Sequence, residues 1–432
     1  MNRARISATL VFAVLLSGCT GRTGDPKGAT LDAAAESYVR LVLALGERDA
    51  DSLDAYHGPP QWQADARARH ATLAEIRTEA VALIGALRPA AVGADDVRRQ
   101  FLVRQLRAVA ARIEVLLGAR QRFADEARAL FALDVTADAY DGDAGASIRA
   151  ELDRLIPGRG ELSARYAAFD RTFLIVPDRL PSVLSRAMAG CRSVTRARLN
   201  LPANERVDVE YVHDIPWSAF TRYQGGFASR IQVNAGLPLT VDRALDLACH
   251  EAYPGHHTIE SLLDARFSRS HTELFVKPLF SPQSLLHEAA SSMSGELAFP
   301  ERARLAFERD ELFPLAGLDP ASAERHVRVA RLVDRLRRVQ AVVLRRYLDG
   351  ELDFPRAAAA LERDALMYSA DTTLKFINQY RTYAATYTLG RDAFARVLDA
   401  RAGADEEDSA ARWRVYAELV TDPSQALPSA SR

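Results

Sequence analysis

Apolar residues recur at intervals of three and four along most of this chain, and that period predicts a mostly α-helical protein. Leu31 to Leu45, Thr72 to Leu87, Val97 to Leu117 and Leu162 to Ile175 each read as an amphipathic helix. In the third, Val97, Phe101, Leu106, Val109, Ile113 and Leu116 form one stripe. Asp95 and Asp96 stand at its start, where carboxylates suit the helix dipole. Pro177 and Pro181 mark a turn and a fresh helix start. From Arg325 to Arg346, the positions Val329, Leu332, Val333, Leu336, Val339 and Val343 keep helical spacing, so the arginines between them fall on a solvated face. Asp138, Asp141 and Asp143, with Gly142 and Gly145, read as an acidic loop whose spacing does not fit a calcium hand.

One region breaks the helical pattern. Val207 to Val212 alternates, with Val207, Val209 and Tyr211 on one face. Tyr223-Gln224-Gly225-Gly226 has turn chemistry, and Ile231 and Val233 flank Gln232 in a second short strand ending at Asn234. A helix is predicted from Val241 onward. The expectation is a large helical fold with a two- or three-stranded β element beside the residues that follow. Such an edge strand can hold an extended peptide through its main chain.

The first residues change the picture of where the protein works. Arg3 and Arg5 precede an apolar run from Ile6 to Leu16, too short to span a bilayer, which needs about 20 residues. The pattern is that of an export signal. Leu16-Ser17-Gly18-Cys19 resembles the bacterial lipoprotein cleavage box, which implies that residues 1–18 are removed and Cys19 carries the lipid. Residues 19–30 then read as a tether, 31–200 as an N-terminal helical region and 201–432 as the region of the chemistry. Thr20, rather than an aspartate, follows the cysteine, which in that class implies the outer membrane, facing the periplasm. Across 432 residues the formal net charge is −1, which excludes the basic footprint of a nucleic-acid-binding domain. Lysine occurs only at Lys27, Lys277 and Lys375, while arginine is abundant, a compositional bias rather than a polyanion site. Beyond Cys19 only Cys191 and Cys249 remain, and the expectation is two buried free thiols.

The chemistry concentrates at His250-Glu251-Ala252-Tyr253-Pro254-Gly255-His256-His257. Hydrolytic zinc sites are built from two histidines, one carboxylate and a glutamate left free as base. Histidines four apart on a helix share a face; here His256 is six and His257 seven residues from His250. On an unbroken helix that is a rise of about 9 to 10.5 Å, too far for one ion. Pro254 cannot donate to the preceding turn and Gly255 permits unusual dihedrals, so a bulge there would bring His256 to the metal.

These eight residues resemble the motif of the bacterial "domain of unknown function 885" family, grouped with zincin-type metallopeptidases. The similarity extends to Tyr223-Gln224-Gly225-Gly226 and Val233-Asn234 upstream, to Glu288-Ala289-Ala290, similar to the family's glutamate helix, and to Thr386-Tyr387-Thr388-Leu389-Gly390. The chain departs from the family pattern at Ala290 and Met293.

The resemblance implies one Zn²⁺ held by His250, His256 and Glu288, with His257 as the alternative second histidine and Glu296 and Glu273 as rivals to Glu288. Glu251, free of metal, would be the general base. Tyr387 would donate to the oxyanion, with Tyr383 as substitute. Asn234 and Arg381 complete the expected substrate contacts, Arg381 meeting a carboxylate bidentately. The remaining histidines, His57, His70, His213, His271, His287 and His326, read as structural or exposed. The leading reading is an exported, lipid-anchored zinc peptidase. A hydrolase of another amide or an ester, and a metal-binding envelope protein without catalysis, are the alternatives.

Overall fold

The computed structural model describes residues 26–87, 93–135, 145–215, 217–403, 409–422, 424, 426 and 427, with the side chains of 26–30 and 409 excluded. The expected export signal, Cys19 and the acidic residues 138–143 lie outside the described residues. The protein is mostly helical and carries two small sheets, one of two strands and one of three. Among the described residues, no helix is long and apolar enough to cross a membrane.

The sequence pattern accounts for most helices directly. Leu73–Ala86 starts at a capping box in which Thr72 and Glu75 satisfy each other's backbone donors. Ala94–Leu116 buries Phe101, Leu106, Val109 and Ile113. Leu180–Arg198 follows a single turn at Pro177–Arg179 and carries Pro181 in its first turn, as the prolines predict. Two helices differ from the reading. Leu162–Arg171 stops short of Ile175, because Leu174 bridges to Thr240 and the Ile175 amide donates to the Leu239 carbonyl at 2.9 Å. The arginine-rich stretch is two helices, Ala323–Asp334 and Arg337–Leu348, with Leu336 buried at the break.

The strands are β1 (Leu53–Tyr56), β2 (Arg206–Val212), β3 (Ala219–Gly225), β4 (Ala228–Asn234) and β5 (Val276–Pro278). β1 and β5 pair antiparallel. The three-stranded sheet has the order β2-β4-β3, with β2 parallel and β3 antiparallel to β4. Tyr223, Gln224 and Gly225 belong to β3; the turn itself is Gly226-Phe227, both at positive φ. β4 ends at Asn234, as the alternation predicts.

The largest core draws on both sides of residue 200. It joins Leu180–Arg198, the helix Val241–Glu251, the helix Pro282–Ser292 and the C-terminal helix Ser409–Val420. Packing of the first two brings Cys191 and Cys249 to a Cα separation of 5.5 Å, and the two form a disulfide. This corrects the expectation of free thiols. Both sulfurs are buried, as expected, but on facing helices rather than apart.

Candidate metal centre

The helix Val241–Glu251 ends just where the site begins. The chain reverses through Ala252, a cis Tyr253–Pro254 bond and Gly255, then restarts as the helix His256–Phe267. A Cβ on Gly255 would lie 1.8 Å from the His250 carbonyl oxygen, so only glycine fits this close return. The Gly255 amide donates to the Cys249 carbonyl at 3.0 Å, and the Tyr416 hydroxyl donates to the Pro254 carbonyl at 2.9 Å. The break that the Pro-Gly pair predicts is therefore present and anchored on both sides.

Its consequence is that two imidazoles six residues apart face one another. His250 Nε2 and His256 Nε2 are 3.2 Å apart. Glu288, from Pro282–Ser292, places Oε1 3.3 Å from His256 Nε2 and Oε2 3.5 Å from His250 Nε2. These three residues form a group able to hold a metal ion. Two ligand atoms at about 2.0–2.1 Å from a tetrahedral zinc stand about 3.3–3.4 Å from each other, so the spacing fits that ion. Glu288 Oε2 and His256 Nδ1 are buried and have no hydrogen-bond partner, a costly arrangement for a site that is only structural.

The other expected residues sort clearly. His257 turns away: its Nδ1 stands 2.8 Å from Ser229 Oγ and its Nε2 3.1 Å from Glu205 Oε2. Glu205 is itself gripped by Arg192, Arg196 and the Tyr253 hydroxyl. Glu296 pairs with Arg391, and Glu273 with Arg98. Glu251 is buried beside His250 and outside the ligand group; one carboxylate oxygen accepts from Thr221 Oγ1 at 2.6 Å. Tyr387 lies in a π-turn, Thr386–Gly390, its ring 6.3 Å from that of His250 and its hydroxyl 3.3 Å from the Tyr383 hydroxyl.

Two expected substrate contacts are occupied by the protein itself. Asn234 donates to the carbonyls of Ile215 and Trp217 and accepts from the Gly236 amide, holding the loop after β2. Arg381 spends its fork on the fully buried Glu126, with Nη2 2.6 Å from Oε2. That partner lies 255 residues earlier in the chain.

The electrostatics follow from burial and proximity. Burial pushes the Glu288 carboxyl upward, but His256 and His250 win and hold it well below the usual carboxylate range. Burial likewise lowers His250, and the adjacent Glu288 carboxylate and the charge of Glu251 more than reverse this, raising it. Burial and the Glu288 charge push both tyrosine phenols well up, so Tyr383 and Tyr387 stay protonated donors. Behind Glu288 runs a second buried set. Lys277 on β5 stands 3.1 Å from Asp54 on β1 and 3.8 Å from Glu260, which lies 3.4 Å from His287 Nδ1.

Sequence reasoning missed Thr221, Glu205 and the Asp54–Lys277 pair. None has a spacing that ties it to the histidines; only the strand alternation around Thr221 hints that its side chain faces inward with Tyr223.

No family model matches the chain, and no curated protein does. Several solved structures are similar to it. A candidate lipoprotein from Colwellia psychrerythraea is 15% identical, with a TM-score of 0.48 over 81% of this chain and 69% of that one. A candidate lipoprotein of unknown function from Shewanella oneidensis is 11% identical, with a TM-score of 0.46 over 83% and 75%. The third, BsuCP, is 10% identical, with a TM-score of 0.43 over 92% and 90%. Likeness at this level carries no argument about what this chain does.

Proposed function

We propose that this protein is an exported, lipid-anchored, zinc-dependent hydrolase that cleaves peptide bonds. The observation that carries the reading is the His250–His256–Glu288 group, with the two Nε2 atoms 3.2 Å apart and one Glu288 oxygen 3.3 Å from His256 and the other 3.5 Å from His250, flanked by a buried glutamate that is not part of it. A zinc ion held by His250, His256 and Glu288 would supply Lewis acidity at the scissile carbonyl and make water a stronger nucleophile.

The chain's own residues do the rest. His250 and His256 present neutral Nε2 lone pairs, and Glu288 supplies the one negative charge. Glu251 takes a proton at its carboxylate and returns it to the leaving amine. Thr221 fixes one oxygen of that carboxylate and leaves the other for the reacting proton. Tyr387 donates a hydrogen bond from its phenol to the developing oxyanion. Behind Glu288, Lys277 pairs with Asp54 at 3.1 Å and keeps the field there balanced.

Several sequence features support the same reading: the resemblance to the "domain of unknown function 885" family, the lipoprotein-type box at Cys19, and an envelope location that permits the Cys191–Cys249 disulfide. The carboxylate of Glu251 beside the ligands argues against a metal binder without catalysis. The test is Glu251→Gln in the full-length protein with a peptide library as substrate. Loss of cleavage by about 10²–10⁴-fold with zinc content unchanged supports the assignment; wild-type cleavage in that variant removes it.

A further inference from the structure

The helix that carries His250 is covered by the core except along one line. Val241, Asp242, Ala244, Leu245, Ala248, Cys249 and Glu251 are buried. The accessible positions are Arg243, Asp246, Leu247 and His250. Their spacing of three, four and seven places them on a single face. This open stripe ends at the metal-ligand histidine and begins at Arg243.

Arg243 is unusual in its surroundings. Its side chain is exposed, yet burial is the largest influence on its guanidinium, and Asp246, Asp242 and Asp334 raise it in return. No hydrogen bond or ion pair is made by Arg243 among the described residues. The nearby carboxylates are committed elsewhere: Asp246 to Arg304 at 2.7 Å, Asp334 to Arg337 and Arg391 at 2.6 and 2.9 Å, and Asp242 to His326 at 3.3 Å. One guanidinium fork is thus exposed, without a protein partner among the described residues, and on the same helix face as His250.

We infer that Arg243 is the carboxylate-recognition residue of this site, so that the substrate carries a free carboxylate beyond the bond that is cut. The inference rests on the proposed hydrolase reading. Arg381, whose fork is filled by Glu126, does not have this role. The spacing also sets the reach. Seven residues of helix rise about 10.5 Å, and an extended peptide covers about 3.3–3.6 Å per residue. A carboxylate on Arg243 therefore lies about three residues from the scissile bond. Two sources share this chemistry, the C-terminal carboxylate of a short peptide and an acidic side chain at the same distance.

The experiment uses the zinc-loaded full-length protein and three matched peptides: a free acid, its C-terminal amide, and an amide with glutamate three residues beyond the cleaved bond. The free acid is expected to be cleaved about 10- to 100-fold faster than the plain amide, the size of a charge-assisted pair. Arg243→Gln is expected to collapse that ratio toward one, with zinc content and thermal unfolding unchanged. Rescue of the amide by the internal glutamate identifies a side-chain carboxylate as an accepted source; no rescue restricts recognition to the C-terminus. Equal cleavage of acid and amide, or a ratio that survives Arg243→Gln, overturns the inference and leaves the hydrolase reading standing. If no peptide is cleaved, the same acid and amide are titrated calorimetrically. Binding of the acid alone, abolished in Arg243→Gln, sustains carboxylate recognition without hydrolysis, and any other result refutes it.

Discussion

Thr221 and Glu251 are joined at two points: the Thr221 hydroxyl lies 2.6 Å from a carboxylate oxygen of Glu251 and 2.9 Å from its backbone carbonyl. The contact ties β3 to the last residue of the helix that presents His250. A carboxylate left unheld in a buried site would swing among rotamers, and one fixed oxygen makes its partner point one way. Thr221→Val keeps the shape and removes the hydroxyl. Turnover on a cleaved peptide is expected to fall about 10- to 100-fold, the cost of a hydrogen bond to a charged group. Thr221→Ser is expected to recover most of it. Zinc content, measured in parallel by elemental analysis, stays at the wild-type level in both.

His256 and His257 are neighbours with opposite partners, and their substitutions separate cleanly. His256→Ala removes one of three ligands and leaves Glu288 buried beside one imidazole. Stoichiometric zinc is expected to be lost after dialysis, with affinity falling at least 100-fold. His257→Ala leaves the ligand group intact but strands Glu205 and Ser229, at a cost of about 1–3 kcal/mol for the buried groups. Zinc is then retained while the urea midpoint falls. Elemental analysis and urea unfolding decide the pair; zinc lost in His257→Ala and kept in His256→Ala would reverse the ligand set.

The parts of the site that were legible in the sequence are local. His250, Glu251 and His256 lie within seven positions, and the Pro254-Gly255 pair announces that the helical period breaks between them. The β element was legible because Val207–Val212 and Ile231–Asn234 alternate, against a chain that otherwise repeats every three or four. What was illegible depends on contacts across hundreds of residues. Nothing in the spacing of Arg381 shows that Glu126 already fills its fork. Nothing in Cys191 shows that its helix faces Cys249. Arg243 looked like any other arginine of an arginine-rich chain until the burial of its helix left it on the single open stripe.

The Cys191–Cys249 bridge closes a loop of 58 residues and sits one position before His250. Loop-closure entropy assigns such a crosslink about 4 kcal/mol of stabilisation, with about 2–4 kcal/mol typical of measured cases. The double replacement Cys191→Ala with Cys249→Ala is therefore expected to lower unfolding free energy by about 2–4 kcal/mol under oxidising conditions. Under reducing conditions the wild type should approach the variant. Alkylation of the unreduced, denatured protein followed by peptide mass analysis checks the pairing itself; labelled Cys191 and Cys249 would show free thiols instead.

His326 provides a pH dependence away from the metal ligands. It stacks on Phe173 with ring centroids 4.0 Å apart, and its nitrogens stand 3.3 Å from Asp242 and 3.7 Å from Glu308. Arg304 joins the same cluster through the other Glu308 oxygen at 2.7 Å. Burial acts to lower the imidazole, but the two carboxylates win and raise it from its ordinary 6.5 to about 9. A group raised on folding binds its proton more tightly in the native state. Its stabilisation is full below pH 6.5 and is lost as pH rises through about 9. Comparison with His326→Gln isolates this contribution, because every other titrating group is shared. The wild type is expected to exceed the variant by about 1–3 kcal/mol at pH 6, with the margin shrinking steadily to pH 10. Urea unfolding at intervals across that range measures it. A margin constant from pH 6 to 10 would mean that His326 is neutral in the native protein and that Asp242 and Glu308 are balanced by Arg304 alone.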